Sequence, residues 1–67
     1  MAFKTTIKEH RLSKGLSQQT TANLIGVGIR LYQYYEAGER EPAVRTAIRI
    51  AHALGTTVEE LFPIEVK

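Results

Sequence analysis

Side chains capable of catalytic or metal chemistry are few in this chain of 67 residues. There is no cysteine, so neither a disulfide framework nor a thiolate zinc site can form. The two histidines, His10 and His52, lie too far apart in the sequence to suggest a metal-binding pair. No pair of nucleophile and base and no acidic cluster can be assembled from these residues. We therefore expect no catalytic residue, no metal and no cofactor, and an enzyme is the least favoured class of protein.

The most informative residues lie between Ser17 and Gly38, where the pattern predicts two short helices joined by a tight turn. Ser17 can cap the first of them, because its hydroxyl can accept a hydrogen bond from an orphan amide of the first turn. Gly26 stands where that helix must end in a left-handed conformation, which disfavours any Cβ. Ala22 is small where another helix has to approach closely. Such a pair can present its second helix to the major groove of DNA, which is about 12 Å wide.

Charge is distributed unevenly along the chain. The net charge is +2 at pH 7, but residues 1–35 carry five bases and one acid, whereas residues 36–67 carry four bases and six acids. The N-terminal half is therefore the part expected to face a polyanion. In the alternative interpretation, Lys4, Lys8 and Lys14 only solvate the surface of a helix.

The length of the chain allows only one domain with a small core, which depends on efficient helix packing or on partners for its stability. No apolar run approaches the roughly 20 residues that span a bilayer, and the N-terminus lacks a signal-peptide pattern. We expect one domain over residues 1–67, with a helix-turn-helix at about 17–37 and a tail at 63–67. We also expect a cytoplasmic location and no membrane contact.

The spacing of apolar residues and of helix-stop residues predicts five helices. In order, they cover about residues 5–14, 17–25 with Ser17 as the N-cap, 28–37, 44–54 and 58–62. Phe3, Ile7 and His10 are predicted to share the inward face of the first helix. Thr57 and Glu60 have the spacing of a capping box at the start of the last helix. Only residues 64–67 alternate in polarity, and they are too few to define a strand.

With these motifs in this order, the chain resembles the five-helix DNA-binding domain of phage repressors and Cro proteins, the XRE family. The resemblance covers about residues 3–62 and is carried by several segments: Ile7–Arg11, Lys14–Gln18, Ala22, Gly26-Val27, Tyr35–Gly38, Glu41-Pro42, Ile50–Gly55 and Val58–Phe62. Each segment alone is weak evidence. Their order and spacing together imply an all-α, compact, lambda-repressor-like fold, and a protein of bacterial, phage or mobile-element origin.

The resemblance implies that the third helix reads bases from its exposed start. The residues that it assigns to base reading are Gly28, Ile29, Arg30, Gln33 and Tyr34. Phosphate contact and positioning fall to Ser17, Gln18, Arg11 and Arg40, and the amides at a helix N-terminus also attract anions. In similar proteins the residues at the positions of Arg11 and Glu36 pair across the first and third helices, so these two are interpreted as mainly structural.

Several residues depart from the family pattern. His10 and Thr21 stand where the family usually has leucine, Gly28 replaces the usual Ser or Thr cap, and Leu31 stands where a small polar residue is typical. Ile29 and Leu31 would make the base-reading surface unusually hydrophobic. They could contact a thymine methyl group or belong to a protein interface.

Other side chains have a structural interpretation beside a functional one. Arg30 can hold guanine through two hydrogen bonds or can contact a phosphate. Tyr32 and Tyr35 fall on buried positions, so we interpret them as core aromatics rather than platforms for bases. His10 is interpreted as a partly buried core histidine, and Thr57 with Glu60 as a cap only.

These observations predict a sequence-specific regulator that binds double-stranded DNA, a repressor acting as a homodimer on a palindromic operator. Two copies on half-sites about 34 Å apart roughly double the base-contact free energy of one small module. The predicted dimer surface is the fifth helix with the tail from Leu61 to Val66.

Two other functions compete with this prediction. One is a protein-interaction module, such as an antagonist or a subunit of a regulatory complex, that keeps the fold without reading specific DNA; Ile29, Leu31 and Tyr34 favour it. The other is an antitoxin that binds DNA and also masks a toxin, although such chains usually carry an additional toxin-binding segment.

Overall fold

The computed structural model describes residues 3–64, and over this range five α-helices follow one another. They are α1 (Ile7–Ser13), α2 (Gln18–Ile25), α3 (Ile29–Ala37), α4 (Val44–Leu54) and α5 (Val58–Leu61). The predicted all-α fold is confirmed, and no strand occurs between residues 3 and 64. The weak alternation at 64–67 falls mainly on residues 65–67, which lie outside the described residues.

The first helix is shorter than predicted, because residues 3–6 use their backbone groups elsewhere. The N–H of Phe3 donates to the carbonyl of Gly38 at 2.8 Å, and the N–H of Thr6 donates to the carbonyl of Leu61 at 2.9 Å. Phe3 therefore precedes α1 instead of sharing its inward face. Its ring lies beside that of Phe62, with 5.8 Å between the ring centroids. The start of the chain thus ties the end of α3 to the end of α5.

The start and the end of α2 agree with the prediction. The Ser17 hydroxyl accepts a hydrogen bond from the N–H of Thr20 at 3.0 Å. The helix ends at Gly26 in the left-handed conformation, with φ of 78°. The N–H of Val27 then donates to the carbonyl of Ala22 at 3.0 Å and closes the turn.

Gly38, at the end of α3, is the most constrained glycine in the described part of the chain. It is buried and has φ of 76°. A Cβ at this position would collide with the carbonyl oxygen of Phe3. Only glycine satisfies both the left-handed backbone and this close approach.

One hydrophobic core joins all five helices. Its buried members are Ile7, Ala22, Ile25, Tyr32, Tyr35, Ile50, Ala51, Leu54 and Leu61. The prediction that Tyr32 and Tyr35 are core aromatics is confirmed. Within residues 3–64 no helix is long and apolar enough to cross a bilayer.

Only half of the predicted capping box at α5 forms. The Thr57 hydroxyl accepts from the N–H of Glu60 at 3.2 Å, as the spacing predicts. The Glu60 carboxylate accepts a hydrogen bond from the Thr56 hydroxyl at 2.6 Å, so its recorded partner is this neighbouring hydroxyl. The cap function of Thr57 is confirmed.

Candidate nucleic-acid interface

The outer face of α3 carries three of the five side chains assigned to base reading. Arg30, Gln33 and Tyr34 are exposed. Arg30 and Gln33 are three positions apart, so they lie on neighbouring turns of the same side of the helix. Gly28 is exposed as well and serves as the N-cap of α3, with φ of −70° and without a side-chain capping bond.

Ile29 and Leu31 differ from the rest of this face. Both are partly buried and pack against the hydrophobic core. Part of the apolar surface expected at the start of α3 is therefore used inside the protein, because one side of the helix turns toward α1 and α2. Only the exposed part of the Ile29 side chain is available for the base-reading role assigned to it.

The inner side of α3 is held by Glu36, which accepts hydrogen bonds from three side chains. Arg11 donates through Nε to Oε2 at 2.8 Å and through Nη2 to Oε1 at 3.2 Å. Gln18 donates through Nε2 to Oε1 at 3.0 Å, and the Tyr32 hydroxyl donates to Oε2 at 2.7 Å. The pair expected between Arg11 and Glu36 is present and joins α1 to α3, and Gln18 connects α2 to the same carboxylate.

The network continues from Glu36 to the outer face of α3. Gln18, which donates to Glu36, also accepts a hydrogen bond through Oε1 from Nε2 of Gln33 at 3.1 Å. The first residue of α2 is thereby connected to the exposed second turn of α3. Gln18 braces the exposed helix, and it lies at the helix N-terminus where backbone amides attract anions.

Arg11 is committed to the interior. Its Nη1 donates to the carbonyl of Leu16 at 2.7 Å, in addition to the two bonds to Glu36. Its side chain is only 9% exposed. The structural role expected for Arg11 accounts for this geometry, and burial leaves little of the guanidinium for the phosphate contact also assigned to it. Ser17 and Arg40, two of the other residues assigned to phosphate contact, are exposed.

The ionisation of this network follows from its contacts. Burial alone would raise the pKa of the Glu36 carboxyl, but hydrogen bonds from Arg11, Tyr32 and Gln18 outweigh burial and lower this pKa below its ordinary value. The hydrogen bond to Glu36 raises the pKa of the Arg11 guanidinium against the effect of burial. Burial and the nearby Glu36 carboxylate raise the pKa of the Tyr32 hydroxyl, which therefore stays a neutral donor. At neutral pH the network is an ion pair with amide and phenol donors.

The sequence assigned only Arg11 and Glu36 to this network. Gln18 and Gln33 were assigned to the DNA interface instead, and the Tyr32 hydroxyl and the Leu16 carbonyl were given no polar role. The Tyr32 hydroxyl could have been found, since Tyr32 and Glu36 are four residues apart and share one side of a helix. The Leu16 carbonyl gives no signal in the sequence, because any residue type supplies the same backbone oxygen.

The unusual residues His10 and Thr21 have structural roles. His10 is partly buried, and its Nδ1 lies 3.0 Å from the carbonyl and 3.2 Å from the hydroxyl of Thr6. Thr21 is buried, and its hydroxyl donates to the carbonyl of Ser17 at 2.9 Å. Within residues 3–64 no group of acidic residues and histidines could hold a metal ion.

Two packed helices joined by a tight turn, with the outer face of the second helix accessible, define the helix-turn-helix class of DNA-binding proteins. The family model HTH_3, helix-turn-helix, matches residues 7–61, and the chain belongs to this family. The resemblance to the XRE type is thereby confirmed.

The relatives are named as transcriptional regulators. The cryptic phage CTXphi transcriptional repressor RstR of Vibrio cholerae is 36% identical over 59 residues, which cover 88% of this chain and 53% of that protein. The SPbeta prophage-derived uncharacterized HTH-type transcriptional regulator YonR of Bacillus subtilis (strain 168) is also 36% identical over 59 residues, with 88% and 55% covered. The chain spans about half the length of these two relatives.

A solved structure with a similar fold is the restriction-modification controller protein C.AhdI from Aeromonas hydrophila. The TM-score is 0.76 at 36% sequence identity, and the match covers 84% of this chain and 85% of that chain.

Proposed function

We propose that this protein is a sequence-specific regulator of transcription that binds double-stranded DNA, and that it represses by occupying a palindromic operator as a homodimer. The observation that carries this proposal is the contrast between the two sides of α3. Its inner side is anchored through Glu36, while Arg30, Gln33 and Tyr34 remain exposed on the outer side. A helix that is anchored on its inner side and exposes polar side chains on its outer side suits base reading in the major groove. The transcriptional regulators among its relatives support this function. Its partner would be DNA in the cytoplasm.

Contacts to the phosphate backbone would come from the residues beside α3. The N-terminus of α2 carries backbone amides, the exposed Ser17 and the partly buried Gln18. Arg40, in the loop after α3, is exposed and supplies a positive charge. These groups would fix the position of the protein on the duplex, and α3 would supply the sequence preference.

The surface that best supports a homodimer is an apolar groove between α4 and α5, called the α4–α5 groove below. Its lining includes Val44, Ile48, Val58, Phe62 and Ile64. Val44 is 76% exposed, Ile48 43% and Ile64 83%, and their grouping around one groove is typical of an interaction surface. Leu61, assigned to the dimer surface from the sequence, is fully buried in the core, and residues 65 and 66 lie outside the described residues. The proposed surface therefore shifts from α5 and the tail toward α4.

Charges around the α4–α5 groove suit a second copy of the same chain. Glu41 and Glu59 belong to the lining of the groove. Arg45 and Arg49 are exposed on α4 itself, next in sequence to Val44 and Ile48. In a two-fold arrangement the arginines of one copy can meet the acids of the other, because an isologous interface repeats each contact.

The alternative of a protein-interaction module has lost part of its support. Of the three side chains that favoured it, Ile29 and Leu31 pack against the core, and only Tyr34 is exposed. DNA reading by α3 therefore remains the better account of this surface.

The experiment that tests the proposal is the selection of bound sites from a library of random duplexes. We expect enrichment of one sequence with inverted symmetry. Affinity for that site should fall with salt, with a slope of about −0.9 in log affinity against log salt for each phosphate contacted. A library that stays random after several rounds, together with a slope near zero, would contradict DNA reading and favour the protein-interaction module.

A further inference from the structure

Residues 3–6, called the 3–6 segment below, lie between the ends of two helices and bond to both. The N–H of Phe3 donates to the carbonyl of Gly38, the C-cap of α3, at 2.8 Å. The N–H of Thr6 donates to the carbonyl of Leu61, the last residue of α5, at 2.9 Å. Carbonyls at a helix end have no partner within the helix. The 3–6 segment therefore supplies donors to the ends of α3 and α5 at once.

The same segment reaches the wall of the α4–α5 groove. Phe62 lines this groove, and the ring of Phe3 lies beside the ring of Phe62, with 5.8 Å between their centroids. Phe3 itself is not part of the groove lining, so it supports Phe62 from another side. Phe3 thus contacts the groove wall through its side chain and the end of α3 through its backbone.

The end of α3 leads directly to groups assigned to DNA. Arg40 follows Gly38 by two positions, and its N–H donates to the carbonyl of Tyr34 at 3.3 Å. Both Arg40 and Tyr34 are exposed. The contact of Phe3 with Gly38 therefore helps to position the part of the DNA-binding surface that lies at the end of α3.

The 3–6 segment can exist in an attached and a detached state. Its residues belong to no helix and none of them is fully buried, and such segments open locally at a small cost in free energy. Detachment removes the donor from the Gly38 carbonyl and the neighbouring ring from Phe62. A second copy packed against Phe62 and a phosphate held by Arg40 both favour the attached state, because each contacts a group that this state fixes.

We propose that the 3–6 segment couples the α4–α5 groove to the DNA-binding surface, so that a second copy in the groove strengthens the binding of each copy to its own half-site. This inference rests on the homodimer and the DNA reading proposed above and adds a form of regulation to them. Coupling between two binding sites is reciprocal, so DNA strengthens self-association by the same factor.

The first test follows the attachment itself by hydrogen exchange. The amides of Phe3 and Thr6 report it directly, since each bonds to a carbonyl of another helix end. Measured by NMR, both should exchange at least about fivefold more slowly in the wild-type dimer than in monomeric Ile48→Glu, the lower end of usual coupling factors. The N–H of Thr21 bonds to the Ser17 carbonyl at 3.0 Å, away from the segment, and should exchange equally in both proteins.

The second test measures affinity for a duplex that contains one half-site of the selected operator. The wild-type dimer should bind it at least about fivefold more tightly than Ile48→Glu. When Phe3→Ala is introduced into both proteins, this ratio should approach one, because the link to Phe62 is lost. Both ratios contain the direct effect of the added carboxylate on DNA, so their comparison isolates the coupling.

A second variant and a control accompany Phe3→Ala. Thr6→Val removes the hydrogen bond of 2.7 Å from the Thr6 hydroxyl to the Glu60 carbonyl, keeps the shape of the side chain, and should also reduce the ratio. Leu12→Ala truncates an exposed leucine outside the segment and the groove lining and should keep the full ratio. Thermal melts establish that the variants are folded, and sedimentation gives the concentration at which each forms dimers.

The outcomes separate this inference from the proposed function. Failure of the wild type to select a site or to self-associate overturns the proposed function and this inference with it. A wild type that does both, yet shows equal exchange at Phe3 and Thr6 in dimer and monomer, or equal half-site affinity, overturns the coupling alone. A ratio that survives intact in Phe3→Ala removes the role of the 3–6 segment. An equal loss in Leu12→Ala assigns the effect to general stability and also overturns that role.

Discussion

Arg11 on α1 and Glu36 on α3 are joined by two parallel hydrogen bonds, of 2.8 Å and 3.2 Å. The two side chains are only 9% and 6% exposed, so water competes little for these bonds. A bidentate pair restricts both distance and angle between its partners. The pair therefore holds α3 against the body of the protein, and the exposed side chains of α3 depend on it for their position.

Removal of either partner of this pair should destabilise the fold. We expect Arg11→Met to lower the free energy of unfolding by about 3–5 kcal/mol, because Glu36 is left as a buried charge without its cation. Glu36→Gln should also be destabilising, and the double variant should fall short of the sum of the single effects by about 0.5–3 kcal/mol. Urea denaturation of the four proteins gives this coupling energy.

Charged residues on the surface provide the control for that cycle. Lys8→Met and Glu39→Gln alter exposed side chains away from the α4–α5 groove and should change stability by no more than about 0.5 kcal/mol each. Additive effects of the Arg11 and Glu36 substitutions would show that the pair contributes no interaction energy.

Acid should remove the contribution of Glu36 to stability. Burial opposes ionisation of Glu36, but the hydrogen bonds from Arg11, Tyr32 and Gln18 prevail and put its folded-state pKa below the ordinary 4.5. The unfolded state therefore binds the proton more tightly, so this contribution is complete above about pH 4.5 and is lost as the pH falls through the folded-state pKa. The difference in melting temperature between wild type and Glu36→Gln should be constant from pH 7 to about 5.5 and shrink below 4.5. A difference that grows toward acid pH would mean that the folded-state pKa is raised.

Arg30 should contribute to sequence preference or to general affinity, and one substitution distinguishes the two. If its guanidinium holds guanine, Arg30→Ala costs about 1–3 kcal/mol on the selected site and relaxes the preference at one base pair. If it holds a phosphate, the loss is similar on all duplexes and the salt slope becomes shallower. Titrations of matched and mismatched duplexes at several salt concentrations measure both quantities. Equal affinity of wild type and variant under all of these conditions would remove Arg30 from the interface.

The two glycines that flank α3 should respond unequally to alanine. Gly38→Ala should destabilise the protein by about 2–4 kcal/mol, because it combines a left-handed backbone with a collision against the Phe3 carbonyl. Gly28→Ala is the control: its φ is −70° and its surroundings are open, and the poorer N-cap preference of alanine offsets its lower unfolded-state entropy, so stability should change by less than about 1 kcal/mol. Thermal unfolding measures both, and equal effects of the two substitutions would contradict the close approach of residues 3 and 38.

A charge in the α4–α5 groove should separate the proposed dimer. Ile48→Glu should weaken self-association at least about tenfold, since burying an unpaired carboxylate costs more than 1.4 kcal/mol. Leu12→Glu changes another exposed apolar side chain, 58% exposed on α1 outside the groove lining, and should leave association unchanged. Sedimentation equilibrium of the three proteins compares their dissociation constants. Equal weakening by both substitutions would show that the groove is not the specific interface.

Most of the fold could be predicted from local signals in the sequence. The spacing of apolar residues predicted which helices exist and in what order. Helix ends were predicted from Ser17, Gly26, Gly38 and Gly55, because caps and left-handed glycines depend on short-range backbone geometry. The start of α1 was placed two residues early. That error arose because Phe3 and Thr6 donate hydrogen bonds to the carbonyls of Gly38 and Leu61, partners that lie far away in sequence.

The sequence by itself determined which residues form the helix-turn-helix and, through the family resemblance, that Arg11 and Glu36 pair. Only the tertiary structure decided how the side chains of α3 divide between core and solvent. The apolar side chains of Ile29 and Leu31 suit both core packing and contact with a ligand, so residue type alone does not separate the two roles. The position of the neighbouring helices decides for core packing. The direction of the bond from Gln33 to Gln18 likewise appeared only with the fold. A side-chain amide can turn either its N–H or its oxygen toward a neighbour, and the Glu36 carboxylate, 18 residues away from Gln18 in sequence, removes that freedom.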